Sequence, residues 1–376
     1  MSLPSAAVVG TGFIGPVHVE ALRRLGVSVL GLLGSTPERG RAAADKLRLP
    51  RAYATLDELL ADPAVGVVHL TSPNRYHFDQ CKRCIAAGKH VVCEKPLAMT
   101  TTETAELMRI AAAAPVVTAV NYNVRFYPHC WEARERLKTI GPVYHVTGSY
   151  LQDWLLFADD FNWRVLASEG GELRAVADIG THWLDLVTWI TGLHVEELCA
   201  DLRTVHPTRH RPAGPVETFA GPATEGVPVA IDTDDYGSIL LRFRGGASGA
   251  MTVSQVTAGR KNCVRFDIAA ANGSLSWDSE SPDFLTIGRR GGPNERLHRD
   301  PGLLTDAAKL WADYPGGHVE GFPDTFKQLF KCVYEYIEAG DFAAERPFPT
   351  FADGHREVAL CEAVLASHRG RKWVTL

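Results

Sequence analysis

The chain has no excess of basic charge: 39 Lys and Arg stand against 44 Asp and Glu, for a formal net charge of -5. Without a long basic run, nucleic-acid and membrane-surface roles are disfavoured. No apolar stretch approaches the ~20 residues that a membrane span requires. The first residues, Met1-Ser2-Leu3-Pro4-Ser5, lack the basic and apolar segments of a cleavable leader, so a cytoplasmic location is expected. There is no disulfide framework either. The eight cysteines are scattered, and Cys81 and Cys84 form a lone C-x-x-C without a second pair at zinc spacing. They fall in a helical pattern, which reads as packed, reduced thiols.

What is present is a globular composition, 45% hydrophobic and 22% charged. At 376 residues the chain is long enough for two domains. Up to about residue 121, short buried strands alternate with helices: Ala6–Val9, Val27–Leu33, Val65–Leu70, Val91–Cys93 and Val116–Val120 are the strands. That alternation means a doubly wound parallel sheet, hence a Rossmann domain over residues 1–121. Thr55 with Glu58, and Thr100 with Glu103, give capping-box signatures for two of the helices. Beyond residue 121, strand-like segments follow one another without crossover helices, from Val143–Leu151 to Leu275–Trp277. The expected second domain, residues 122–376, is therefore α+β with a large open, mainly antiparallel sheet. The stretch His206–Val229 is rich in Pro, Gly and Thr and without periodicity, and reads as a long loop. The run Asp353–Ser367 reads as a helix.

Three motifs carry chemistry. Gly10-Thr11-Gly12-Phe13-Ile14-Gly15 lies between the first strand and a helix, the context in which G-x-G-x-x-G cradles a pyrophosphate. The first Gly permits a tight turn, the second lets phosphate approach, and the third lets helix and strand pack. The second strand ends Gly34-Ser35-Thr36-Pro37-Glu38-Arg39, without the acid that would bond ribose hydroxyls. Ser35, Thr36 and Arg39 suit a 2′-phosphate, which inclines the reading to NADP; alternatively the hydroxyls merely cap the next helix. In the second motif, Val91-Val92-Cys93-Glu94-Lys95-Pro96, Glu94 and Lys95 emerge at the carboxyl end of a buried strand, where open α/β sheets bind ligands. The alternative is a surface ion pair. The third is Asp178-Ile179-Gly180-Thr181-His182. If its first turn is helical, Asp178 and His182 share a face, the pairing expected of an oriented general base. Two ligands without a third are insufficient for a metal. The structural alternative is that Asp178 caps a helix and His182 packs against Trp183 and Trp189.

Taken together, these motifs resemble the Gfo/Idh/MocA oxidoreductases, and the resemblance covers nearly the whole chain. It implies an NAD(P)-dependent enzyme transferring hydride between a nicotinamide and a hydroxyl or carbonyl carbon of a sugar, polyol or cyclitol. By the same resemblance Lys95 would bond the reacting hydroxyl and the nicotinamide ribose, His182 would take the hydroxyl proton, and Asp178 would orient substrate and imidazole. Glu94 belongs to the matching cofactor motif. Thr71, Pro73, Asn74 and His77 match the nicotinamide-side loop, and Trp163-Arg164 the pair that reaches the carboxamide. Asn121, Asn123, Arg125, Gln152, Asp153, Trp154 and His318 are polar or aromatic residues at the expected substrate rim. Each could instead be structural, Arg125 by pairing within the fold. A homo-oligomer, dimer or tetramer, is also implied, with no nucleic-acid or membrane partner. Two competing functions share the fold: an NAD-dependent glycosidase with no net redox turnover, and a cofactor-sensing regulatory protein, which would need no Lys95–Asp178–His182 set.

Overall fold

The computed structural model describes residues 3–214 and 226–376. Two compact units emerge. One comprises Met1–Asn123, Ser168–Gly171 and Phe326–Val358; the other comprises Val124–Ala167, Glu172–Thr325 and Ala359–Leu376. The first unit thus draws on two segments well beyond residue 121, which the division at that residue does not anticipate.

The first unit is built on six strands: β1 (Ala6–Val9), β2 (Val29–Leu33), β3 (Arg51–Tyr53), β4 (Val67–Leu70), β5 (His90–Cys93) and β6 (Thr118–Val120). All pairings are parallel, in the order β3-β2-β1-β4-β5-β6. β1 and β4 are buried at every residue, as strands covered on both faces by helices must be. The edge strand β3 has only three residues, two of them partly or fully exposed, too short to stand out by hydrophobicity. The strand order reverses between β1 and β4, which is where such sheets bind ligands.

Threonine side chains cap three helices of the first unit. Thr36 accepts the Arg39 N–H ahead of Pro37–Leu47, and Thr100 with Glu103 completes a reciprocal capping box. At Thr55 the box is modified: the hydroxyl accepts from Glu58 N, but the Glu58 carboxylate returns to the N–H of Ala54.

The second unit carries a nine-stranded sheet. Its strands are β7 (Val143–Leu151), β8 (Val195–Arg203), β11 (Tyr236–Phe243), β12 (Ser248–Ser254), β13 (Cys263–Ala270), β14 (Gly273–Asp278), β15 (Phe284–Gly288), β16 (Glu295–His298) and β17 (Val374–Thr375); the ribbon strands β9 (Thr208–Arg211) and β10 (Val227–Ala230) lie outside it. The order is β16-β15-β14-β13-β7-β12-β11-β8-β17, antiparallel except where β7 and β12 run side by side. Buried and exposed residues alternate along β11 and β13, so one face of the sheet is apolar. Phe266, Ile268, Ile239 and Leu241 join Trp183, Leu184 and Val187 of the helix Thr181–Thr191 in one core.

The loop expected over His206–Val229 is therefore partly a ribbon, with β9 and β10 pairing antiparallel. Their burial patterns are largely exposed, so no apolar alternation announced them; residues 215–225 lie outside the described ones. The helix expected at Asp353–Ser367 spans Phe351–Gly370. No helix among the described residues is long and apolar enough to cross a membrane.

Arg125 and Asp185 form a buried bidentate pair in the second unit, with Nε to Oδ2 at 2.7 Å and a second bond from Nη2 to Oδ1. Both are at most 5% exposed. Asp185→Ala leaves the guanidinium without this carboxylate and is expected to cost about 3–5 kcal/mol in urea unfolding. A loss below about 1 kcal/mol would contradict the assigned burial.

Candidate active site

In the first unit the three motif glycines separate by function. A Cβ on Gly15 would meet the Gly10 carbonyl oxygen at 2.4 Å, and one on Gly10, whose φ is +119°, would meet Thr71 Oγ1 at 2.4 Å. These two glycines let β1, the following helix and the loop after β4 approach each other. A Cβ on Gly12 would meet nothing within 4 Å. Open space at that glycine, beside a helix (Ile14–Arg24) whose start has no side-chain cap, is what a pyrophosphate cradle requires. The residues present fit a dinucleotide.

Gly34, at the tip of β2, lacks an acid for a structural reason: its Cβ would fall 2.4 Å from the backbone nitrogen of Gly40. Around it, Arg39 Nη1 donates to Ser35 Oγ at 3.3 Å, and Thr36 is occupied as a cap.

Glu94 and Lys95 follow β5, and the Lys95–Pro96 bond is cis. Glu94 is not a surface partner but buried, at 7% exposure. Its Oε1 faces His18 Nε2 at 3.0 Å and accepts from Asn121 Nδ2, while Oε2 accepts the Lys95 N–H at 3.2 Å. Burial acts to raise the Glu94 carboxyl, but His18, the Lys95 charge and Asn121 together hold it below the usual carboxylate value. Behind His18 the bonds continue: His18 Nδ1 lies 3.0 Å from His69 Nδ1, and His69 Nε2 lies 3.1 Å from Tyr334 Oη. Burial, reinforced by His18, drives the His69 pKa far down, so a neutral ring bridges His18 and Tyr334.

The loop residues of this unit are tied to one another. Thr71 Oγ1 donates to Val9 O, and Asn74 Nδ2 donates to Gly170 O at 2.9 Å. His77 is fully buried, with Nδ1 at 2.8 Å from Pro96 O and Nε2 at 2.8 Å from Ser72 O. It thus fastens the loop after β4 to the loop after β5. Asn123 is buried at 1% exposure.

In the second unit, Asp178 lies in a π-helical turn, Val176–Gly180, that leads directly into Thr181–Thr191, which carries His182. The expected regular first turn is thus replaced by a wider one, so the four-residue spacing does not describe an ordinary α-helical face. Such turns are frequent at functional sites. Its start is held by Asp234, whose Oδ1 accepts Arg174 N at 2.6 Å and whose Oδ2 accepts Val176 N at 2.9 Å. Asp178 Oδ2 accepts from Gln255 Nε2 at 2.8 Å, and Oδ1 lies 3.4 Å from Arg164 Nε. Asp178 is not the cap of the helix: the residue preceding Thr181 is Gly180, and no side chain caps there. The His182 ring sits 6.1 Å from the Tyr150 ring, centroid to centroid.

Arg164 stacks over Trp163 at 4.5 Å while reaching Asp178. Gln152 is buried and bonded at both ends of its amide, to Asn262 and to Trp154. Asp153 receives Lys261 Nζ at 2.8 Å. Arg125 takes the structural alternative, its pair with Asp185. His318 is exposed on a loop whose backbone is held by Arg299. Sequence reasoning missed His18, His69, Tyr334, Arg174, Asp234, Asp235 and Gln255. His18, His69 and Arg174 lay within four residues of a recognised signal, Gly15, Thr71 and Asp178 respectively, but nothing in those signals marked them.

The fold and these groups define an oxidoreductase of the nicotinamide-dinucleotide type. Residues 5–122 match the model of the oxidoreductase family with an NAD-binding Rossmann fold, Gfo/Idh/MocA, and residues 132–276 match a C-terminal domain model of that family. The chain belongs to the Gfo/Idh/MocA family. It is 26% identical to levoglucosan dehydrogenase of Pseudarthrobacter phenanthrenivorans over 396 aligned positions, covering 98% of this chain and 97% of that protein. Among solved structures, levoglucosan dehydrogenase in complex with NADH and L-sorbose superposes with a TM-score of 0.88 at 25% identity, covering 100% of this chain and 99% of that one. An inositol dehydrogenase homologue from Azotobacter vinelandii, complexed with NADH and myo-inositol, gives 0.86 at 25% identity, covering 100% and 98%.

The glycines supply a direct test. Gly12→Ala is expected to leave the melting temperature within about 2 °C while weakening dinucleotide binding about tenfold or more. Gly15→Ala is expected to lower stability by about 2–4 kcal/mol. Thermal unfolding and nucleotide titration of the same samples check both, and equal melting losses for the two would contradict the division of roles.

Proposed function

We propose that the chain is an NAD(P)-dependent dehydrogenase or reductase acting on a hydroxyl or carbonyl carbon of a sugar, polyol or cyclitol. The observation that carries this reading is the simultaneous presence of a fitted dinucleotide cradle, a lysine emerging beside a buried carboxylate, and an Asp178–His182 segment built on a π-turn. The relatives reported above are named for, or complexed with, sugars and a cyclitol, which supports the substrate class.

A nicotinamide dinucleotide held at the Gly10–Gly15 turn would supply the hydride acceptor or donor for the carbinol carbon. The hydroxyl proton leaves to an imidazole nitrogen of His182, so the C–O bond can become a carbonyl. Asp178 orients that imidazole and the substrate. The Lys95 ammonium donates to the reacting oxygen and stabilises charge developing there. Glu94, ionised and buried, holds the Lys95 backbone rather than touching substrate. For the cofactor, Ser35, Thr36 and Arg39 support a 2′-phosphate, while the NADH complexes of the neighbours support the unphosphorylated form. A second copy of the chain would cover the outer face of the nine-stranded sheet, where Leu240, at 50% exposure, alternates with buried Ile239 and Leu241.

Fluorescence titration with NADPH and with NADH, followed by a sugar and cyclitol panel read at the nicotinamide absorbance, tests the whole reading. Lys95→Ala is expected to lose at least 100-fold in turnover while still binding nucleotide. Nucleotide binding without net turnover of any panel member would favour a glycosidase or a sensor. Sedimentation velocity at micromolar concentration is expected to show a dimer or tetramer; a monomer would remove the oligomer from the proposal.

A further inference from the structure

The side chain of Gln255 lies between two groups of opposite demand. On one side is the buried guanidinium of Arg174, with Nη1 at 3.0 Å from Gln255 Oε1. On the other is Asp178, whose Oδ2 is 2.8 Å from Gln255 Nε2. A guanidinium has donors only, so the amide end that faces it must be oxygen. The amide cannot flip without setting N–H against N–H at Arg174. Its two N–H groups are thereby committed to Asp178 and, at 3.4 Å, to Gln152 Oε1. Arg174 is itself fixed, because another of its nitrogens pairs with Asp235, which Arg209 Nη2 also reaches at 2.7 Å. Arg174, Arg209, Asp235 and Gln255 are all at most 1% exposed.

We propose that Gln255 is a positioning residue of the reaction: with its amide direction dictated by Arg174, it holds Asp178 as an oriented, acceptor-only carboxylate. This rests on the role given above to Asp178 and His182. The groups around Asp178 agree with it. Arg164 faces it from the turn Trp163–Val165, and His182 follows it on Thr181–Thr191. Tyr150, on β7, keeps its proton because burial, then the Asp178 charge, push its hydroxyl pKa up. Arg174, Arg209 and Asp235 act through Gln255.

The test is Gln255→Glu. Beside Arg174 the new carboxylate is ionised, and its second oxygen then meets Asp178 Oδ2, acceptor against acceptor. One proton must enter the pair. The acid limb of kcat/KM is expected to move up by at least one pH unit, while NADH affinity stays unchanged. Gln255→Met, similar in length but without polar atoms, is expected to lower kcat at every pH with no such displacement. A readout independent of turnover accompanies these. The folded Gln255→Glu variant binds one proton more than its unfolded chain above about pH 5, so its stability falls as pH rises. Its melting-temperature deficit relative to the wild type should therefore widen between pH 5 and 8, and adding Asp178→Asn should abolish the widening. If Gln255→Glu does not fold at pH 7, it should fold at pH 5; failure at both overturns the proposal. A deficit constant with pH, or an unmoved acid limb, also overturns it. A widening deficit in a protein that turns over no panel member supports the Gln255–Asp178 coupling and sinks the sugar reading alone.

Discussion

A buried guanidinium obliges every neighbour to present an acceptor, and in the second unit that obligation propagates. Arg174 can be buried only because Asp235 neutralises it and Gln255 Oε1 accepts one of its N–H groups. Asp235 in turn is shared with Arg209, which also donates to the carbonyls of Leu155, Phe157 and Asp160. From Gln255 the direction passes on: Nε2 to Gln152 Oε1, Gln152 Nε2 to Asn262 Oδ1, with the Tyr150 hydroxyl ending on the same oxygen. A single donor-only group thus removes the two-fold ambiguity of successive amides. Burying such charges is costly, and removing one partner costs more than the pair gains, so the set is retained or lost together.

The first unit meets a related demand with different chemistry. Its buried anion is Glu94, and the groups behind it are imidazoles and a phenol rather than guanidinium and amides. Tyr334 is fully buried, and burial pushes its hydroxyl far above the ordinary value, so the chain of bonds ends in the core. Its consequence is orientation: Glu94 is fixed, and with it the backbone of Lys95.

The sequence made the local devices legible. Gly10, Gly12 and Gly15 could be read because each answers a constraint within a few residues, and β4 and β5 because continuous burial leaves an apolar run. That the first sheet is parallel and doubly wound followed from the alternation of strands with helices. What stayed hidden was long-range. His69 and Tyr334 are separated by 265 positions, and Arg174 and Gln255 by 81. No periodicity encodes such pairs, because each member alone looks like an ordinary polar residue in an apolar run. The π-turn was hidden for another reason: Asp178-Ile179-Gly180 has no composition that distinguishes a wide turn from an α-helical one. The ribbon of β9 and β10 was missed because its residues are mostly exposed and lack alternation.

These two solutions share a feature that bears on how chemistry is divided along the chain. The groups that fix Glu94 and Lys95, namely His18, His69, Asn121 and Tyr334, all belong to the first unit. The groups that fix Asp178, namely Arg174, Asp234, Asp235 and Gln255, all belong to the second. Each unit therefore fixes its own buried or half-buried carboxylate from its own interior. Preorganisation of that kind does not wait for a ligand, since the bonds that set each carboxylate are satisfied within the unit. It also separates the consequences of substitution, because sites that share no partner contribute nearly additively. Changes to the imidazole line are therefore expected to reach Glu94 and the Lys95 backbone, and changes to the arginine–amide line to reach Asp178. Among the described residues, these two sets of bonds share no group.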